Sequence, residues 1–342
     1  MTYFVVPVVL ALVLQSTPQA GVLPDAQGQQ ALAIQVALDR AGFSSGVIDG
    51  RPGANTRRAI EAYRKQHGRD PVPAEQPLVE YRVTSLDAAG PFVEQIPSDL
   101  MEQSKLPALA YRSVIEALAE RFHTTPDVLK RLNSSATFAV DSVVLVPNVD
   151  PLVLPTEPST LEAEAARPEA TGTSGRAAGS QGSAPPTGEK KGEKKADKQG
   201  EKNDKPDVVV SVSRSAGALT VSDTAGKIVF FAPVTTGSKN DPLPLGEWKV
   251  NGVQNNPTFR YNPDLFWDAD PSHTKATIPA GPNGPVGLVW IDLSKEHYGL
   301  HGSPEPSQIG RTESHGCVRL TNWDALRVAA LVKPGTRVVF TE

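Results

Sequence analysis

Apolar and polar residues alternate at Val208, Val210 and Val212, and again at Leu219 and Val221. A period of two places successive side chains on opposite faces, so these runs predict strands. Ala216-Gly217 and Ala225-Gly226 punctuate them as turns, making a β-meander. Val143 to Val146 is a continuous apolar run closed by Pro147, which predicts a buried strand, and Arg337 to Thr341 predicts a last one. Elsewhere the period lengthens to that of a helix. Ile34, Ala37, Leu38 and Ala41 share one face of a predicted helix closed by Gly42. Ala59, Ile60 and Tyr63 are the inward positions of a second, capped by Asn55 or Thr56. Val114, Ile115, Leu118, Ala119 and Phe122 line a third, and Thr125-Pro126 opens a fourth that runs through Leu132. A late helix starts from Thr321 or Asn322, turns Leu326 and Ala330 inward, and stops at Pro334-Gly335.

The pattern lapses in two places. Tyr3 to Leu14 is uncharged and apolar, shorter than the roughly 20 residues of a bilayer span. It reads as the apolar region of a signal peptide over 1–20, with Ala20 at the cleavage site, so the chain is expected to be exported to the periplasm or cell envelope. Thr156 to Pro206 is rich in Pro, Ser, Gly, Lys and Glu and has too few large apolar residues to bury a core. It is expected to be a disordered linker, assigned to 151–206, with an r.m.s. span of about 40 Å. The resulting multidomain chain has a small helical bundle at 25–70, an α+β segment at 78–150, and a β-rich domain at 207–342. That last domain is expected as a mixed sheet or sandwich with one C-terminal helix.

Charge and cysteine content narrow the chemistry. The net charge of −4 gives no global reason to expect nucleic acid as a partner. One cysteine among 342 residues excludes an internal disulfide and a zinc site built on several thiolates. Nothing implies a metal or a nucleotide cofactor. The lone cysteine, Cys317, sits in ESHGCVRL with His315 two residues before it, and His301 lies upstream in GLHG. A free cysteine is ordinarily a small buried hydrophobe. An exported protein that keeps one thiol beside histidines suggests a nucleophile instead, because a thiol near its ordinary pKa is only about 3 % thiolate at pH 7 and needs a base.

His301, on a facing segment, approaches the sulfur with fewer backbone constraints than His315, and is the expected base. The Gly302 carbonyl is the expected group orienting it. The amides of Gly316 and Cys317 are the expected oxyanion donors, helped by the His315 side chain, with Ser314 in support. Arg319 returns to the Cys317 face by period two and can grip a carboxylate with both nitrogens; the alternative is a solvated strand arginine. Trp267, in YNPDLFW, is a candidate for the cleft wall. Trp248 and Trp290 read as core, His273 as a loop residue, His123 as structural, and His67 as a cation closing a helix.

These residues carry three resemblances. The segment from His301 through Ser314-His315-Gly316-Cys317, with PVTTGS, PLPLGEWKV and YGLHG upstream, resembles the L,D-transpeptidase catalytic domain, the YkuD family. That likeness implies Cys317 as acylated nucleophile, His301 as base and the Gly302 carbonyl as third member, with Arg319 where relatives often have Asn. Ala31 to Gly68, with GVIDGRPGANT between two helices, resembles the peptidoglycan-binding domain 1 family. ALAERFHTTPDVLKRLN followed by VLVPN resembles the later part of a LysM domain, whose first strand would be Tyr81 to Val83. About 25 residues then intervene before the helix, more than that family has, which leaves glycan binding and a spacer role equally open.

The implied function is a peptidoglycan L,D-transpeptidase. Cys317 would be acylated by a tetrapeptide stem with release of D-Ala, and an amine of a second stem would complete a 3→3 cross-link. A lysine of an envelope protein as acceptor, or water in a carboxypeptidase, are the alternatives. A wall-binding protein with an inactive catalytic domain and a thiol redox sensor are the rivals of other classes. The partner is peptidoglycan, the chain is expected to be a monomer, and the N-terminal unit and linker would tether a mobile catalytic head.

Overall fold

The structure, a computed structural model, describes residues 26–154 and 205–342. The expected signal peptide and nearly all of the expected linker lie outside these residues. Among the described residues no helix is long and apolar enough to cross a membrane.

The chain opens with α1 (Ala26–Arg40) and α2 (Ala54–His67), joined by a turn that Gln35 fastens from inside. Its amide donates to Asp49 and Thr56, and its carbonyl accepts from the Asp49 and Gly50 amides. Then come β1 (Leu78–Arg82), α3 (Leu100–Gln103), α4 (Val114–Arg121), α5 (Pro126–Leu132) and β2 (Val143–Pro147), with β1 and β2 antiparallel. The first strand thus ends before Val83. The remaining elements are β3 (Val208–Ser213), β4 (Ala218–Asp223), β5 (Ile228–Pro233), β6 (Gly246–Asn255), β7 (Phe259–Tyr261), β8 (Ala276–Ile278), β9 (Val289–Leu293), β10 (Gly299–His301), β11 (Val318–Arg319), α6 (Asn322–Leu331) and β12 (Arg337–Thr341).

Eight strands form one mixed sheet in the order β11-β10-β9-β6-β12-β3-β4-β5. Only β10–β11 and β12–β3 are parallel pairs. The sheet curls around α6: Val210, Val212 and Leu219 from one end, Ile291, Leu300 and Val318 from the other, and Ala325 and Val328 of the helix share a single core. The expected meander is β3–β4–β5. β7 and β8 form a separate hairpin.

Several helix faces differ from the expectation. α1 is covered on two sides, so one stripe does not describe it: Leu32 and Val36 pack with Val128 and Leu132, and Leu38 packs with Phe43 and Phe231. Ala41 is exposed. α2 starts at Ala54 behind Gly53 with no side-chain cap, because Thr56 already lies within the helix and bonds Gln35 and the Arg51 carbonyl. Thr321 is the cap of α6, accepting from the Asp324 amide, and Ala325, Val328 and Ala329 are buried while Ala330 is exposed.

The two halves pack directly on each other, which a freely sampling head on a tether does not predict. Residues 42–44 cover the β5 edge through Ser44 N–H to Phe231 O and Phe231 N–H to Gly42 O, both 2.8 Å. An uncovered edge strand would present unpaired backbone groups. Asp39 accepts from both terminal nitrogens of Arg327 (2.8 and 3.1 Å) and from His123 Nδ1, and the Ser44 hydroxyl donates to Asp324. Burial would raise the Asp39 pKa, but the His123 and Arg327 charges outweigh it and hold the carboxylate far below the usual range.

Candidate active site

β10 and β11 set the geometry. Their parallel register pairs Leu300 with Val318 and His301 with Arg319. Leu300 and Val318 point into the core. Strand alternation therefore sends His301 and Arg319 to the opposite face, and Cys317 stands in the turn that leads directly into β11. The Arg319 guanidinium acts electrostatically on both His301 and Cys317, which places all three in one neighbourhood.

His301 is buried against Trp290, ring centroids 5.5 Å apart and nearly parallel. Its Nδ1 lies 2.7 Å from the Gly302 carbonyl oxygen. A carbonyl only accepts, so Nδ1 carries the proton and Nε2 keeps its lone pair. Burial first, and the Arg319 guanidinium second, push the imidazolium pKa down to about 4. Burial pushes the Cys317 thiol up to about 11, against a Gly299 backbone hydrogen bond and the Arg319 charge. Sγ lies 3.7 Å from the His297 carbonyl. Among the described residues no hydrogen bond joins Cys317 to His301; such contacts commonly tighten only with substrate bound.

The turn before Cys317 is tightly specified. Gly316 has φ +101°, and a Cβ there would stand 2.7 Å from the Tyr298 ring. Glycine alone meets both conditions. The Ser314 hydroxyl donates to the Cys317 carbonyl at 2.6 Å, and the Ser314 backbone exchanges hydrogen bonds with Thr236 and Ser238. Ser314 thus braces the turn.

The His315 ring lies against the loop between β7 and β8. Its Nε2 is 2.8 Å from Asp268, and its ring lies 5.1 Å from Phe266 and 6.1 Å from Trp267. Trp267 is 63 % exposed, so it offers an open apolar face beside His315. These three residues belong to the loop between β7 and β8. That hairpin is itself held from the N-terminal half: Leu100, Met101 and Leu109 pack around Tyr261 and Ile278, and Asp99 pairs with His273 at 3.0 Å.

The structure thus gathers Cys317, His301, Gly302, Ser314, Gly316 and Arg319 around two strands, and pairs His315 with Trp267. Asp268, Tyr298, Trp290 and Asn322 were not singled out for the site. Trp290 occupies an outward phase of β9, a signal available in VWIDL but read as core. His123 is buried with Asp39 and stacked on Trp323, His273 bonds Tyr261, and His67 stacks on Tyr63. Among the described residues no group of three or more His, Cys, Asp or Glu could hold a metal ion.

Comparison with known proteins places both ends of the chain. Residues 207–340 match the family described as "L,D-transpeptidase catalytic domain", YkuD, and residues 27–71 match "Putative peptidoglycan binding domain". "Putative L,D-transpeptidase YkuD" of Bacillus licheniformis is 52 % identical over 60 residues, 18 % of this chain and 36 % of the relative. Its namesake in Bacillus subtilis is 32 % identical over 129 residues, 38 % of this chain and 63 % of the relative. The chain therefore spans less than two thirds of either relative. Among solved structures, L,D-transpeptidase 3 from Mycobacterium tuberculosis, in complex with a faropenem-derived adduct, is 21 % identical with a TM-score of 0.33, covering 40 % of this chain and 61 % of that one. The two matched regions do not extend over the LysM-like segment. Residues 207–340 of this chain belong to the YkuD family of L,D-transpeptidase catalytic domains, joined to a peptidoglycan-binding domain at 27–71.

Proposed function

We propose that the chain is an envelope L,D-transpeptidase acting on peptidoglycan, with Cys317 as nucleophile and His301 as general base. The observation that carries this reading is the β10–β11 pairing, which sets the Cys317 turn beside the strand of His301 with the Arg319 charge acting on both, while the Gly302 carbonyl commits His301 Nδ1 as a donor. With the thiol near 11 and the imidazolium near 4, the resting pair is neutral. His301 Nε2 therefore takes the thiol proton as Sγ attacks, rather than holding a standing thiolate.

Sγ adds to the amide carbonyl carbon after the third residue of a tetrapeptide stem. The Gly316 and Cys317 amides hold the oxyanion, and His315, anchored on Asp268, positions the turn that carries them. Collapse breaks the C–N bond, the terminal D-Ala leaves with the proton from His301, and a thioester remains. An amine of a second stem attacks the thioester, His301 takes its proton, and the thiolate leaves and is reprotonated. Arg319 contacts a stem carboxylate and Trp267 packs on the stem beside His315. Residues 27–71 hold the enzyme on the polymer.

The test is the intact mass of products when the full chain and Cys317→Ala are incubated with disaccharide-tetrapeptide. Dimer lacking one D-Ala, formed only by the wild type, is the expected result. Free tripeptide would name a carboxypeptidase. Untouched substrate and unmodified, folded protein would sink self-contained acyl transfer and leave protein anchoring as the reading to test.

A further inference from the structure

The base depends on Gly302, so what holds Gly302 matters. Its amide donates to the Val289 carbonyl at 3.3 Å. Its α-carbon is backed by Asn322: a Cβ on Gly302 would stand 2.1 Å from Asn322 Oδ1, and one on Gly287 would stand 1.9 Å from the same oxygen. That oxygen also accepts from the Leu288 amide at 3.0 Å. One side chain thus fixes the strand entering β9 and the residue that orients His301.

Asn322 is in turn held from the N-terminal half. Its Nδ2 donates to Glu120 Oε1 at 2.9 Å and to the Pro282 carbonyl at 3.1 Å. Glu120 Oε1 also accepts from the Tyr111 hydroxyl at 3.0 Å, and all three side chains are buried. Glu120 is the end of a relay spanning 202 residues of sequence. A second contact converges on the same layer. The Leu109 amide donates to Ala280 O, the Asn283 amide to Leu109 O, and a Cβ on Gly281 would stand 2.2 Å from Leu109 O. Loop 280–288 is therefore braced on one side by Leu109 and on the other by Asn322.

We propose that the unit spanning 78–150 is a positioning module for the catalytic histidine, with Glu120 fixing Asn322 and, through it, the Gly302 carbonyl that orients His301. The chemistry suits the role. Burial pushes the Glu120 carboxyl up to about 8, so at neutral pH it is uncharged and its carbonyl oxygen receives both donors without a buried charge. The inference rests on the assignment of His301 as base, but Glu120 and Tyr111, the residues it tests, lie outside the family-matched regions.

The experiment compares full-length wild type, Glu120→Met and Glu120→Gln. Methionine has similar volume and no acceptor, and replacing a buried ionisable group with an apolar one is often tolerated. Glutamine keeps the acceptor oxygen. The readouts are thermal unfolding, kcat and KM for tetrapeptide transfer, and histidine ring 1H–15N NMR, which reports the His301 tautomer without any substrate. Glu120→Met is expected to fold, to lower kcat about tenfold to a hundredfold with KM within about twofold, and to mix the His301 tautomers. Glu120→Gln is expected to restore both kcat and the single tautomer. Folded Glu120→Met with wild-type kcat and a wild-type His301 signal overturns the proposal. If Glu120→Met does not fold, Tyr111→Phe carries the test: a drop in kcat of about threefold with mixed tautomers supports it, and no change in either overturns it. If wild type transfers no peptide, the tautomer signal decides alone, so failure of the transpeptidase reading stays distinguishable from failure of this one.

Discussion

His301 and His123 are built alike. Each is buried, and each stacks on a tryptophan, His301 on Trp290 at 5.5 Å and His123 on Trp323 at 5.4 Å. They differ in what faces Nδ1. His301 meets a neutral carbonyl, and His123 meets the Asp39 carboxylate, which also holds Arg327. A carbonyl fixes a tautomer without adding charge, and leaves a free lone pair that can move a proton. A carboxylate shared with a guanidinium makes a charged joint that locks two halves of a protein. The same side chain is left free to exchange a proton, or is tied into a charged joint, according to the charge of one acceptor.

The strongest way to break that comparison is to delete each ring. His301→Ala is expected to lower kcat for peptide transfer by about 10²–10⁴-fold while the chain still unfolds cooperatively. His123→Ala is expected to keep most of kcat and lose stability, read by urea titration. Equal losses of kcat would dissolve the distinction. Asp39→Ala attacks the joint from the other side. It leaves the mostly buried Arg327 without its carboxylate, and is expected to cost about 3–5 kcal/mol of unfolding free energy.

Proton linkage sharpens the comparison further. The His301 pKa is lowered in the fold, so its contribution to stability is present above the unfolded value of 6.5 and is lost as pH falls through about 4. kcat/KM should fall with the same acid limb, because a protonated His301 cannot accept the thiol proton. Glu120 has the opposite sign. Its pKa is raised, so its contribution is present below the unfolded value of 4.5 and is lost as pH rises through about 8. Melting temperatures measured from pH 5 to 9 should fall on the alkaline side for wild type and flatten for Glu120→Gln. The smallest effect belongs to the surface. Asp70 pairs with Arg64 at 2.6 Å, but both are exposed, and Asp70→Asn should leave the melting temperature unchanged.

The strands β3 to β5 were legible because they alternate and their turns carry glycine. The positions of His301 and Cys317 were legible because the chemistry compresses into two short segments. The neighbours were not. Asp268 pairs with His315 across 47 residues, and Asn322 meets Glu120 across 202, distances at which no periodicity links partners. Asn322 did carry a signal, a polar residue opening a helix, but it read equally well as a cap. The reading of α1 as a one-faced helix failed because a helix covered on two sides loses its polar stripe. Gln35 and Asp39, which a pattern assigns to solvent, are instead buried hydrogen-bonding hubs.

Strand order has a consequence for how the molecule is made. β12 is the last strand in chain order, yet it lies between β3 and β6 in the middle of the sheet. Until residues 337–341 emerge, the meander and the β6–β9–β10 portion have no shared neighbour, and neither can close around α6. Contacts this distant in sequence form slowly and late. Until synthesis has passed β12 the sheet therefore cannot be completed, and the pairing that sets β10 beside the Cys317 turn is not yet held in its final frame.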